Sequence, residues 1–279
     1  MSAFQKEAGM TVSDRPPATQ RSTLGSVALP KEHGGWGLTL EPGLLALLVA
    51  PGTAGVCLAS AALVAFTART PLKVVLVDRH RGRSLARTRL AARVTCGELF
   101  VLAALIVAAV VLANDPFWAP ALVAGPLVLV ELWFGMRSRG RRLVPELAGA
   151  VGVCSVAAMI VLADGGSGRL AAGVWLVLAA RVVTSIPHVR GLVARLHGRT
   201  YRDASTVVSD CAAIAGAVAA VWLDRGLFVG AIAVVAVVVI QRITARRPLP
   251  RATVLGIRQT AMGLGVVVAT AAGSLASTR

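Results

Sequence analysis

The sequence predicts an all-α, polytopic transmembrane helical bundle of about nine helices, with its N-terminus inside and its C-terminus outside. Three observations predict it. Hydrophobic residues fill 56% of 279 positions and mean hydropathy is +0.74, above the roughly 45–50% apolar usage of soluble domains. Apolar runs approaching the ~20 residues that a bilayer requires recur along the chain. The links between them alternate between arginine-rich and arginine-poor, and short links rich in Arg and Lys stay in the cytoplasm.

The stretch RTPLKVVLVDRHRGRSLARTRLAAR, Arg69 to Arg93, sets the orientation. It carries Arg69, Lys73, Arg79, Arg81, Arg83, Arg87, Arg89 and Arg93 between two long apolar runs. Held inside, it orients every apolar run before and after it.

Residues 1–29 are polar, with Pro16-Pro17 and no apolar h-region. They read as a disordered cytoplasmic tail and not as a signal peptide. Residues 30–279 then form a single membrane domain. Its opening, Pro30-Lys31-Glu32-His33-Gly34-Gly35-Trp36-Gly37, suits a helix start at the membrane interface. Lys31, Glu32 and His33 are also candidate functional residues, because His33 titrates near neutrality. Anchoring and function both remain open there.

The helices are expected at about 37–49, 53–77, 94–113, 119–134, 143–163, 169–186, 204–223 and 227–241, with a ninth running to the C-terminal end. Pro51-Gly52 turns the chain between the first two. Glu41-Pro42 disfavours a regular first helix. The whole of Arg69–Arg93 is read as an elaborated link. In the third inside link, Pro187 to Asp203, Val189, Leu192, Val193 and Leu196 recur at helical spacing, the pattern of a short amphipathic helix lying in the interface. Asn114–Trp118, Asp164–Gly168 and Asp224–Gly226 are the outer links.

The formal net charge of +16 would point to nucleic acid in a soluble protein, but no groove-reading motif accompanies it. Topology and anionic headgroups explain the arginines better. The partners expected are therefore the lipid bilayer and an anionic lipid or isoprenoid phosphate, and not nucleic acid. Cys57, Cys96, Cys154 and Cys211 show no ligand spacing, and no histidine motif for zinc is present. No Walker A or dinucleotide-binding motif occurs either, so no cofactor is identified and no enzyme class is assigned.

Ionisable residues at membrane depth are functional candidates, since insertion of each costs about 2.5–3.5 kcal/mol. Here they are Glu41, Glu98, Glu131, Glu146, Arg181 and Asp210. Arg181 and Asp210 stand on consecutive helices and read either as an ion pair between them or as the wall of a polar site. Asp78, Arg79, His80 and Arg81 complete the candidate set at the first basic link. All four histidines fall on the cytoplasmic side.

The PKEHGGW start, SRGRRLVPELAGA at Ser138–Ala150 and RVVTSIPHVRGLVAR at Arg181–Arg195 together resemble the YwiC-like family of bacterial membrane proteins. The resemblance implies a multi-helix membrane protein and supplies no catalytic residue. In architecture the chain is also similar to UbiA-type prenyltransferases, which have nine helices, an inside N-terminus and active-site loops after helices two and six. Those enzymes hold magnesium and pyrophosphate with two aspartate-rich motifs, whereas this chain offers Asp78 at one link and Asp203 and Asp210 at the other. That resemblance implies shared architecture and not shared chemistry.

Three functions follow as expectations for a multi-pass protein of the plasma membrane. The first is binding of an isoprenoid-phosphate or anionic lipid headgroup in a cytoplasmic-face cavity. The second is small-solute transport using the intramembrane carboxylates and Arg181. The third is a non-catalytic membrane component.

Overall fold

The computed structural model describes residues 33–137, 142–199, 203–247 and 252–277. Among them nine α-helices and no strands are found. They are α1 (His33–Val49), α2 (Thr53–His80), α3 (Ala86–Leu112), α4 (Trp118–Met136) and α5 (Leu143–Ala163). Then follow α6 (Gly168–Leu196), α7 (Asp203–Leu223), α8 (Phe228–Ala245) and α9 (Ala252–Ser277), with one 3₁₀ turn at Arg225–Leu227. Eight of the helices, α2 to α9, are long and apolar enough to cross a membrane. At 1.5 Å per residue, the 17 residues of α1 reach about 25 Å, short of a ~30 Å hydrocarbon layer.

Helices α5 and α6 form the centre. Their apolar windows are 50% and 67% buried, against 11% for α3 and α4, which therefore face outward. Helix α1 is wedged into the bundle, packing on α5, α9, α2 and α6. Leu45 and Ala46 on it are fully buried, in one core with Ile160 and Val161 of α5 and Val174, Val177 and Leu178 of α6. Among the described residues the core contains Phe117 as its sole aromatic. Small side chains do the packing, as expected where lipid gives helices no hydrophobic reason to associate.

Four helices differ from the sequence expectation. Arg69–Arg93 is mostly helix: α2 runs to His80, α3 begins at Ala86, and only five residues link them. The segment after Ile186 is no separate interfacial helix, because α6 continues unbroken through Pro187 to Leu196. Likewise α1 runs through Pro42. In a bundle, neighbouring helices and side chains re-satisfy the backbone groups that proline frees, so local disfavour is overridden. Helices α2, α3 and α6, with 28, 27 and 29 residues, are about 40 Å or longer. They exceed the ~30 Å hydrocarbon layer, long enough for their arginine-rich ends to lie beyond it as helical stalks.

Candidate functional site

Asp78 closes the turn between the stalks of α2 and α3. Thr88 Oγ1 donates to Asp78 Oδ2 at 2.6 Å, Arg87 Nη2 donates to Oδ1 at 3.1 Å, and Arg83 N donates to the Asp78 carbonyl at 2.8 Å. Gly82 takes φ +64° there, the left-handed step that ends a helix without a Cβ penalty. Asp78 is buried while Arg79, His80 and Arg81 are exposed, so the structure does not gather these four candidates into one site. Lys31 and Glu32 lie outside the described residues. The backbone of His33 opens α1, and its side chain lies outside them as well.

The buried chemistry lies elsewhere. Along α6, Arg181, Thr184, Ser185 and His188 are all buried, and their spacing of three, one and three residues puts them on one helical face. That face looks into the bundle. Thr184 Oγ1 donates to Asp210 Oδ1 on α7 at 2.6 Å and lies 3.1 Å from Gln241 Oε1 on α8. Gln241 Nε2 donates to Ser185 Oγ at 3.0 Å and to Gln259 Oε1 on α9 at 3.5 Å. Arg242 Nε donates to Asp210 Oδ2 at 2.5 Å. His188 feels the charges of Asp210, Arg242 and Arg258.

Arg181 joins this network at Gln259, whose backbone carbonyl accepts from Arg181 Nη2 at 2.8 Å. The same Nη2 stands 3.0 Å from Glu41 Oε1 on α1, with both side chains 4% exposed. Arg181 Nε and Glu41 Oε1 nevertheless have no hydrogen-bond partner among the described residues. Charge therefore holds this contact, without hydrogen-bond geometry. Arg181 and Asp210, expected either to pair or to share a polar wall, do not pair. Arg181 takes Glu41 and Asp210 takes Arg242.

Exposure falls along this network. The side chain of Arg242 is 41% exposed, Asp210 10%, and Arg181 and Glu41 4% each. Arg181 lies about 22 Å along α6 from Leu196, near the helix middle. The network therefore runs from the arginine-rich end to mid-bundle. Beyond it, Val174, Val177 and Leu178 of α6 and Ile160 and Val161 of α5 are apolar and closed.

Of the remaining carboxylate candidates, two form ion pairs outside this network. Glu131 of α4 pairs with Arg69 of α2, and Glu146 of α5 accepts from Arg190 of α6 at 2.6 Å. Glu98 Oε2 is buried with no hydrogen-bond partner among the described residues. No group of three or more His, Cys, Asp or Glu that could hold a metal ion occurs among the described residues.

Thr184, Ser185, Gln241 and Gln259 were missed as site residues, because each alone is unremarkable in an apolar helix. The available signal was the polar spacing on α6. A cleft of about 1310 Å³ lies between α7 and α8, lined by residues such as Val218, Trp222 and Ile232. It sits at the opposite end from this chemistry.

No curated protein and no solved structure matches the chain. The architectural likeness to UbiA-type prenyltransferases gains no support. The model of the YwiC-like protein family matches residues 29–161, a little under half of the chain. That stretch spans α1 to nearly the end of α5 and holds Glu41, whereas Arg181, Asp210, Gln241 and Gln259 lie beyond it. With its apolar helices, the chain is a multi-pass membrane protein that is YwiC-like over residues 29–161.

Proposed function

We propose that the protein is a permease-type carrier that admits a small anionic solute from its arginine-rich end to Arg181. The carrying observation is the graded polar network from exposed Arg242 to the buried Glu41–Arg181 pair, contributed by five helices. Charged groups at membrane depth line substrate and ion routes as a rule. Buried polar atoms without hydrogen-bond partners, here Arg181 Nε and Glu41 Oε1, are the groups a solute would satisfy. Exposed arginines around the entrance raise the local concentration of anions. The apolar half beyond Arg181 is then the gate that must rearrange for release. The charge rule supports a cytoplasmic entrance.

Purified protein in proteoliposomes tests this with labelled inorganic phosphate, sulfate and short carboxylates. Uptake of at least one is expected, and Asp210→Asn abolishes it by removing the charge that holds Arg242 and Thr184 in place. No uptake of any probe, or undiminished uptake by Asp210→Asn, overturns the proposal.

A second reading has its own observation. Arg79, Arg89 and Arg93 are exposed on the arginine-rich ends of α2 and α3, and Arg83 is exposed in the link between them. They support binding of an anionic lipid or isoprenoid-phosphate headgroup at the membrane surface, independent of the interior path.

A further inference from the structure

At the end opposite the basic links, Arg169 and Arg225 are the only cationic side chains among the described residues. The charge rule depletes that end of arginine, yet both survivors line the same cleft of about 1310 Å³. Arg169 is fixed at the cleft mouth, donating from Nε to the Leu223 carbonyl at 3.0 Å and from Nη2 to the Trp222 carbonyl at 3.5 Å. The rest of its donor fork remains available, and a guanidinium suits phosphate geometry. Asp224, whose Oδ1 accepts from the Gly226 N–H at 2.8 Å, brings one negative charge against the two arginines, so the mouth is net positive.

Below the mouth the cleft is apolar. Val218 is 63% exposed, Trp222 82%, Phe228 58% and Ile232 53%, so bare side chains of α7 and α8 face whatever fills it. An indole beside a charged mouth is the arrangement of the membrane interface.

We infer that this cleft holds an anionic diacyl phospholipid, its phosphate on Arg169 and Arg225 and an acyl chain along α7 and α8. The site is distinct from the interior path, and neither depends on the other.

Tryptophan quenching tests it, with the protein in vesicles containing bromine-labelled phosphatidylglycerol or bromine-labelled phosphatidylcholine. Trp222→Phe identifies which part of the fluorescence comes from Trp222. That part is expected to be quenched preferentially by the anionic lipid, by about fivefold for each arginine engaged. Arg225→Gln leaves the carbonyl contacts of Arg169 intact and is expected to remove about half of the preference on a logarithmic scale. Equal quenching of the Trp222 component by the two lipids in the unaltered protein overturns the inference, whether or not the variant folds. An undiminished preference in a folded Arg225→Gln variant overturns it too.

Discussion

Arg181→Ala is expected to destabilise the protein by about 3–5 kcal/mol, the cost of leaving a buried charge without its partner. The charge stranded is Glu41, 3% exposed and held between α1, α6 and α9. Unfolding by denaturing detergent in mixed micelles measures the loss. The double variant Glu41→Leu/Arg181→Met is expected to recover most of it, since a buried pair replaced by apolar groups of similar volume is often neutral or stabilising. That asymmetry separates a pair kept for function from one kept for stability. A double variant as stable as the parent but inactive in uptake places the pair in the carrier mechanism.

The second large effect is expected at Gly263, where α9 passes Glu41. A Cβ there would collide with Glu41 Oε1 and lie 2.6 Å from Arg181 Nη2. The colliding group is the end of a flexible side chain, which ordinarily swings away cheaply. Here it is tied to Arg181 inside a closed bundle, so yielding means separating the pair. Gly263→Ala is therefore expected to cost about 1–3 kcal/mol. In the background Glu41→Ala/Arg181→Met the same substitution should cost almost nothing, and the difference measures the coupling.

The architecture was largely legible because a bilayer imposes few choices. Apolar length and basic alternation gave nine helices, and α5 was read at Leu143–Ala163 to the residue. What failed was local. Pro42 and Pro187 were read as interruptions, but the bundle carries helix through both. Clustered arginines at Arg69–Arg93 were read as a link, although a helix longer than the hydrocarbon layer can hold them beyond it.

The site was half legible. Arg181, Asp210 and Glu41 stood out because charge at membrane depth is costly wherever it occurs. Their partners did not follow from sequence order. Glu41 and Arg181 are 140 positions apart and meet because α1 is wedged between α6 and α9. Gln241 and Gln259 became meaningful only once α8 and α9 were placed around α6. Asp78 was read for its place beside Arg79, His80 and Arg81, but its oxygens are occupied by Thr88 and Arg87 within the turn.

The interior path is tested most directly by accessibility of Ser185, which is 4% exposed and lies between Arg181 and His188 on α6. Ser185→Cys would be made with Cys57, Cys96, Cys154 and Cys211 replaced by alanine. A membrane-impermeant, negatively charged thiol reagent would then be applied from one side at a time. Labelling from the arginine-rich side alone, with Val174→Cys in the apolar half unlabelled from either side, is the result expected of a solute path entered at that end. A Ser185→Cys variant that folds and is labelled from neither side, or only from the opposite side, would contradict it.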